Sequence, residues 1–283
     1  MKVINLKSDL FPILQKERSR GRKIGLVPTM GALHNGHLSL VNASIKEADT
    51  TVCSIFINPT QFNNQEDFEN YPETFEEDLN KLKQEGCDIV YVPPREDLYE
   101  NENDRITDFS FGEFGRVLEG KYRPGHFGGV ALVVSKLFNI ISPDLTYFGQ
   151  KDLQQFHLIR HLIEDLSYNI QIRCVPTVRE KDGLALSSRN LRIPEELRPL
   201  ASTFYKCLIT GRDMLKNGQS ISDVKNKVKE VFANSPDLKL EYFEIIDTGN
   251  FKIIKQIRNE NKTSLCIAGY LNNIRLIDNV NYI

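Results

Sequence analysis

This sequence predicts an α/β protein, a doubly wound parallel sheet followed by a smaller α+β domain, on three observations. Apolar, β-branched runs recur at residues 24–27, 50–58, 87–92, 145–148 and 170–176, and glycine or proline closes most of them. The runs are continuous rather than alternating, as expected of parallel strands covered on both faces. Past Asn190 the pattern changes to helices at 194–217 and 221–234, then strands at 238–247, 263–270 and 273–278. Helices followed by antiparallel strands mark a separate α+β layer.

Composition narrows the class of function. With 283 residues, 40% of them hydrophobic and 26% charged, the chain can bury a substantial core. A net charge of −2 gives no global attraction to nucleic acid or to an anionic membrane. The five cysteines, Cys53, Cys87, Cys174, Cys207 and Cys266, are scattered, and they read as reduced, buried thiols of a cytosolic protein. No apolar stretch is long enough to span a bilayer, and the N-terminal residues do not read as a signal peptide. These features predict a cytoplasmic protein without membrane or nucleic-acid partners.

Taken in order, residues up to Arg22 predict a short strand and a helix, with Lys16, Arg18, Arg20, Arg22 and Lys23 on a solvated face. The first core strand, 24–27, runs into Pro28-Thr29-Met30-Gly31-Ala32-Leu33-His34-Asn35-Gly36-His37-Leu38, and a helical apolar spacing follows. This is a strand-to-helix turn on the ligand side of an open α/β sheet. Gly31 and Gly36 admit close approach of a ligand, and the helix dipole and first-turn N–H groups favour an anion. His34 and His37, three apart, can face one ligand. Taken alone, the pair reads as readily as two exposed histidines in a polar turn. A zinc pair has no cysteine or carboxylate nearby at ligand spacing. Phosphate contact in a nucleotidyltransferase fits the strand before and the helix after, because His-Asn-Gly-His is a variant of the His-x-Gly-His signature.

The strand at 50–58 ends in Asn58-Pro59-Thr60-Gln61-Phe62. Asn58 and Gln61 offer donor and acceptor together, suited to a hydroxy acid or simply to a polar loop. Residues 63–71 are polar and predict a mobile segment, and a helix opens at Thr74 with Glu76, Glu77 and Asp78 in its acidic first turn. Such a turn is ordinary, yet Mg²⁺ bridging to phosphate needs only one or two carboxylates, which leaves Asp78 as the metal candidate. Residues 109–127 read as an irregular loop ending in Gly120-Lys121-Tyr122-Arg123-Pro124-Gly125-His126-Phe127, anchored by an apolar helix at 130–141. Its cations and histidine suit a polyanionic ligand. After the strand at 145–148, Gly149-Gln150-Lys151-Asp152-Leu153-Gln154-Gln155 repeats the strand–glycine–helix layout. Lys151 suits a phosphate, Asp152 a ribose hydroxyl, and Gln155 lies one turn beyond Lys151. The last core strand leads to Val178 and, through Leu186, to Ser187-Ser188-Arg189-Asn190, two hydroxyls and a guanidinium fork for phosphate oxygens. That loop occupies the place of the Lys-Met-Ser-Lys-Ser loop of the same superfamily.

With these residues in hand, the chain resembles the pantothenate synthetase (pantoate–β-alanine ligase) family. The resemblance rests on Pro28 to His37, Phe56-Ile57-Asn58-Pro59-x-Gln61-Phe62, Leu118-Glu119-Gly120-x-x-Arg123-Pro124-Gly125-His126-Phe127, Tyr147-Phe148-Gly149-Gln150-Lys151-Asp152-x-Gln154-Gln155, and Pro176-Thr177-Val178-Arg179-Glu180-x-Asp182-Gly183-Leu184-Ala185-x-Ser187-Ser188-Arg189-Asn190. The C-terminal part matches in size and general pattern only. The resemblance implies a Rossmann-like domain over residues 1–178, a C-terminal α+β lid over 179–283, and a homodimer. It implies ATP-dependent joining of pantoate to β-alanine through a pantoyl adenylate, with Mg²⁺, releasing AMP and diphosphate. By the same resemblance His34, His37, Lys151 and Arg189 are catalytic. Met30, Gly31, Gly36, Gly149, Gln150, Asp152, Val178, Leu186, Ser187 and Ser188 join them in holding ATP. Gln61, Gln155, Asn58, Arg123 and His126 bind pantoate, and Gln61 also lies near β-alanine. The rival readings are a nucleotidyltransferase that stops at the nucleotidylated product and a non-catalytic nucleotide-binding module.

Overall fold

The computed structural model describes residues 1–99 and 107–283. In chain order its elements are β1 (Lys2–Ile4), α1 (Lys7–Ser19), β2 (Ile24–Thr29), α2 (Asn35–Glu47), β3 (Thr50–Ile55), α3 (Gln65–Glu69), α4 (Phe75–Glu85), β4 (Ile89–Tyr91), α5 (Arg95–Leu98), α6 (Leu118–Tyr122), α7 (His126–Ile141), β5 (Leu145–Gly149), α8 (Leu153–Asp165) and β6 (Gln171–Val175). They are followed by α9 (Arg198–Ala201), α10 (Thr203–Lys216), α11 (Ile221–Ala233), β7 (Leu238–Asp247), β8 (Lys252–Ile253), β9 (Thr263–Leu271) and β10 (Ile274–Asn281). The residues form two compact units. The first comprises Met1–Phe111, Arg123–Gln150 and Gln155–Pro176; the second comprises Gly112–Tyr122, Lys151–Gln154 and Thr177–Ile283. No helix among the described residues is long and apolar enough to cross a membrane.

The first unit is built on a six-stranded parallel sheet in the order β1-β4-β3-β2-β5-β6. From β2 the chain winds outward through β3 to β4, then returns to place β5 and β6 on the other side of β2, so the winding reverses between β2 and β5. That reversal is where open α/β sheets hold their ligands. β2 and β5 pair only at Gly25–Leu145 and Leu26–Thr146, and the carboxyl ends of both strands run on without each other. Pro28 is tolerated in a central strand for this reason. Thr29 carbonyl accepts Phe56 N–H on the β3 side, so the position of Pro28, one residue back, faces β5, where pairing has already ended. Leu40 and Val41 of α2 and Leu82 of α4 pack on Val27, Cys53, Val90 and Tyr147 of the sheet. Each such burial contributes roughly 1.5–3 kcal/mol.

The second unit has a four-stranded antiparallel sheet in the order β10-β9-β7-β8. Phe204, Cys207 and Leu208 of α10 and Val224, Val228 and Phe232 of α11 pack with its Phe243, Ile245, Leu265 and Ile267. A second cluster joins Leu118 and Leu153 to Tyr242, Ile246, Phe251, Cys266 and Ala268.

Several local expectations are corrected. Residues 63–71 contain α3, which Asn64 caps by accepting the Glu66 N–H. Residues 109–127 are not one irregular loop: a 3-10 turn at Gly112–Arg116 leads into α6, and α7 already begins at His126. The single helix expected over 194–217 breaks into a 3-10 turn, α9 with Pro199 in its first turn, and α10. Cys174 is exposed rather than buried because β6 is an edge strand, whereas the other four thiols are buried.

Candidate active site

In the first unit the signature turn leaves β2 at Met30 and enters α2 at Asn35. Gly31 and Ala32 both take left-handed backbone, with φ of 80° and 49°. For alanine that conformation costs about 1–2 kcal/mol. Asp78, in the first turn of α4, offsets it: one carboxylate oxygen accepts Ala32 N–H and the other Leu33 N–H, each at 2.8 Å. Thr74 hydroxyl donates to the same carboxylate at 3.0 Å. One turn along α4, Lys81 Nζ donates to Leu33 carbonyl at 2.8 Å. Asp78 is 1% exposed and closed over by the turn it holds. It therefore presents no open oxygen to a metal ion, which corrects the expectation for that residue.

His34 and His37 cap α2 reciprocally. His34 Nδ1 accepts Gly36 N–H at 3.1 Å, and His37 Nδ1 accepts His34 N–H in a weak bond at 3.4 Å. The rings stack with centroids 4.0 Å apart. An Nδ1 that accepts carries no proton, so each neutral ring bears its hydrogen on Nε2. The expectation that first-turn amides would receive an anion is revised here. Gly36 N–H is spent on the His34 ring and His37 N–H on His34 carbonyl, so the side-chain donors this turn offers a phosphate are the imidazole Nε2–H groups.

Beside β3, the amides expected to touch a hydroxy acid form a connected set. Asn58 is 1% exposed. It donates to Gln61 Oε1 and Gly129 carbonyl, each at 3.1 Å, and accepts from Thr60 hydroxyl at 3.0 Å and Tyr99 hydroxyl at 2.8 Å. Its amide is thus occupied by protein, and it holds Gln61, whose Nε2 lies against the Met30 sulfur. His126 bridges Gln61 carbonyl to Arg123: Nδ1 lies 2.8 Å from the carbonyl and Nε2 2.9 Å from the guanidinium. A carbonyl only accepts, so the hydrogen sits on Nδ1 and Arg123 donates to Nε2. α7 approaches this loop so closely that a Cβ on Gly129 would stand 2.2 Å from Thr60 carbonyl oxygen and 2.6 Å from Gln61 nitrogen. Gly149 ends β5, Gln150 opens a 3-10 turn, and Gln155 is half-buried in the first turn of α8.

In the second unit, Lys151 is held 3.5 Å from Asp152 and is mostly covered, whereas the Asp152 side chain is 45% exposed. Val178 carbonyl accepts Leu186 N–H at 3.0 Å, closing a narrow hairpin that delivers Ser187. Ser187 hydroxyl accepts Arg189 N–H at 3.3 Å and caps a 3-10 turn, Ser188–Arg192, in which Ser188 is buried. The sequence reading missed Asp78 as a clamp, quoted Arg179 only as part of a motif without giving it a role, and missed Asp278 and Asn279 altogether. A charged residue inside the apolar stretch Leu276-Ile277-Asp278-Asn279-Val280 was the available signal for the last two.

A doubly wound sheet whose switch point carries two imidazoles, with a covered lysine and a hydroxyl–guanidinium loop elsewhere in the chain, defines an α/β enzyme that works on a nucleotide. The comparisons with known proteins narrow this. The family model described as pantoate-beta-alanine ligase matches residues 2–281. Pantothenate synthetase of Caldicellulosiruptor bescii is 41% identical over 281 residues, covering 99% of this chain and 98% of that protein. Its counterpart in Porphyromonas gingivalis is 42% identical over 282 residues, covering 100% and 99%. Among solved structures, pantothenate synthetase from Thermus thermophilus superposes with a TM-score of 0.92 at 35% identity, covering 100% of this chain and 99% of that one. The Francisella tularensis pantoate-beta-alanine ligase complexed with beta-gamma ATP and beta-alanine gives a TM-score of 0.79 at 33% identity, covering 100% and 98%. The chain belongs to the pantoate-beta-alanine ligase family. Its activity is the ATP-dependent condensation of pantoate with β-alanine, an amide-forming ligation.

Proposed function

We propose that the condensation runs in two steps, through a pantoyl adenylate. The pantoate carboxylate attacks the α-phosphorus of ATP, the bond to the bridging oxygen breaks, and diphosphate leaves. The β-alanine amine then attacks the acyl carbon, nitrogen loses a proton, and AMP departs with the electron pair of the anhydride bond. Neither step asks for a protein nucleophile; both ask for alignment and for stabilisation of charge.

The residue roles are those the family resemblance implies, and the chemistry of each group supports them. His34 and His37 donate Nε2–H to phosphate oxygens, with His37 the candidate proton donor. Lys151, Ser187, Ser188 and Arg189 hold the β,γ-diphosphate, each charge-assisted bond contributing roughly 1.5–3 kcal/mol. Backbone groups at Met30, Gly31, Gly149, Gln150, Val178 and Leu186, with Asp152, position the nucleotide, and Gly36, whose N–H is taken by the His34 ring, serves by admitting its close approach. Gln61 and Gln155 bind pantoate, and Gln61 also serves β-alanine. Arg123 and His126 hold the Gln61 loop in place, as Asn58 does.

Mg²⁺ fits this donor set as a companion of the triphosphate, since a cation bound mainly by phosphate and water needs few protein ligands. Asp152, with its exposed carboxylate, is the residue of the Lys151 turn able to meet it. When bound, the ion neutralises phosphate charge. Residues 179–283 act as a lid that keeps water from the mixed anhydride. The enzyme works as a cytoplasmic homodimer on small molecules, without nucleic-acid or membrane partners.

One observation carries this reading: the reciprocal His34–His37 cap, which fixes both rings with hydrogen on Nε2. The test is AMP formation from ATP and pantoate, with and without β-alanine. Diphosphate release and an enzyme-bound adenylate in the absence of β-alanine, followed by a burst of AMP on its addition, is the expected outcome. Strict dependence of diphosphate release on β-alanine would overturn the two-step order.

A further inference from the structure

Arg179 and Asp278 stand 99 residues apart in sequence and meet in a two-pronged ion pair, with N–O distances of 2.6 and 2.9 Å. Asp278 is 5% exposed. The same guanidinium donates to Gly183 carbonyl at the hairpin tip and to Asn279 carbonyl on β10, each at 3.0 Å, and lies 4.2 Å over the Tyr205 ring. It therefore ties the whole hairpin, closed by Glu180–Leu184 and Leu186–Val178 backbone bonds, to β10. The very next side chain, Asn279, donates from Nδ2 to Lys151 carbonyl at 2.9 Å. Two consecutive residues of one strand thus grip two loops that are far apart in sequence: the one carrying Lys151 and the one leading to Ser187, Ser188 and Arg189.

We infer that Asp278 and Asn279, with Arg179, are positioning residues that set the spacing of the Lys151 ammonium against the Ser187–Ser188–Arg189 loop and so tune the enzyme for the leaving diphosphate. None of the three needs to touch substrate. The inference rests on the proposed role of Lys151 and the serine–arginine loop in holding that group. A plain scaffold would also use a buried ion pair, so the discriminating readout is selective loss of diphosphate recognition.

The mild variant is Asn279→Ala, which removes one neutral donor and leaves the ion pair whole; Arg179→Lys and Asp278→Asn probe the pair itself. Thermal melts come first, and kinetics are run well below the lowest midpoint. Pantoate-dependent exchange of labelled pyrophosphate into ATP, with calorimetric titration of ATP and of pyrophosphate, should show roughly tenfold weaker pyrophosphate and ATP recognition in Asn279→Ala, while the KM for pantoate stays within about twofold. In a Lys151→Ala background the same Asn279→Ala change should add nothing, because it acts through that lysine. Equal scaling of every parameter, or a full additional loss on the Lys151→Ala background, overturns the positioning role. If Lys151→Ala is impaired and Asn279→Ala is not, the inference alone falls. An unimpaired Lys151→Ala protein overturns the role of the lysine, and the inference with it.

Discussion

Asp78 Oδ1 accepts the backbone N–H of Leu33 at 2.8 Å, one half of a clamp whose other half is Asp78 Oδ2 on Ala32. The clamp holds a left-handed alanine immediately before the two imidazoles, so its loss should cost both stability and catalysis. Asp78→Ala leaves two buried N–H groups without their acceptor, at about 1–3 kcal/mol each. The urea midpoint should fall accordingly, and adenylate formation by roughly 100-fold, with Asp78→Asn intermediate in both. An unchanged midpoint in Asp78→Ala would remove the clamp from the account.

His37→Ala and Lys151→Ala delete groups assigned to phosphate while leaving the core clusters untouched. Both variants should melt close to the parent protein and lose adenylation by orders of magnitude. Single-turnover release of diphosphate is the measurement. Near-normal release in either variant refutes that residue's role.

Gly129→Ala tests the approach of α7 to the loop after β3. The added methyl would stand 2.2 Å from Thr60 carbonyl oxygen, and backbone must move to admit it. The movement falls on Gln61, so the KM for pantoate should rise by roughly tenfold or more while ATP binding changes little. Equal effects on both substrates would mean that the displacement spreads beyond the loop.

The sheet was legible because its strands are β-branched runs punctuated by proline and glycine, and residues 50–55 on β3 needed nothing more. The His34–His37 turn was legible because strand, glycines and helix are adjacent in sequence. What escaped was chemistry made by distant partners. Asp78 looked like an ordinary acidic first turn until Ala32 and Leu33, 46 and 45 residues upstream, were seen to need it. Asn58 looked like a ligand-binding amide, yet Tyr99 and Gly129 take up its hydrogen-bonding capacity. Gly112–Tyr122 reads as part of an N-terminal domain, but Gln154 bonds to Phe114, Val117 and Glu119, and Arg275 to Glu119, which places the segment in the second unit. Such pairings carry no periodicity, so no local pattern announces them.

His157 gives the protein a pH dependence of known sign. It is 6% exposed on α8, and burial, with smaller contributions from Arg160 and His161, pushes its imidazole down to about 4 from an ordinary 6.5. Above pH 6.5 the ring is neutral in folded and unfolded chains alike. Between 6.5 and 4 the unfolded chain binds a proton that the folded protein refuses, so stability falls as pH falls. The slope approaches 1.4 kcal/mol per pH unit and amounts to about 3 kcal/mol over the window. Below pH 4 the folded protein binds the proton too, and this contribution levels off. Glu47, held below its ordinary 4.5 by Arg173, and Glu17, held below it by Arg22, lose their stabilisation only at lower pH, below the interval from 6.5 to 5 in which the His157 contribution falls. A proton NMR titration should find the His157 ring signal unmoved down to pH 5. In His157→Gln the fall in unfolding free energy over the same interval should shrink by about 1.4 kcal/mol per pH unit. A ring that titrates near 6.5 in the folded protein would contradict both expectations.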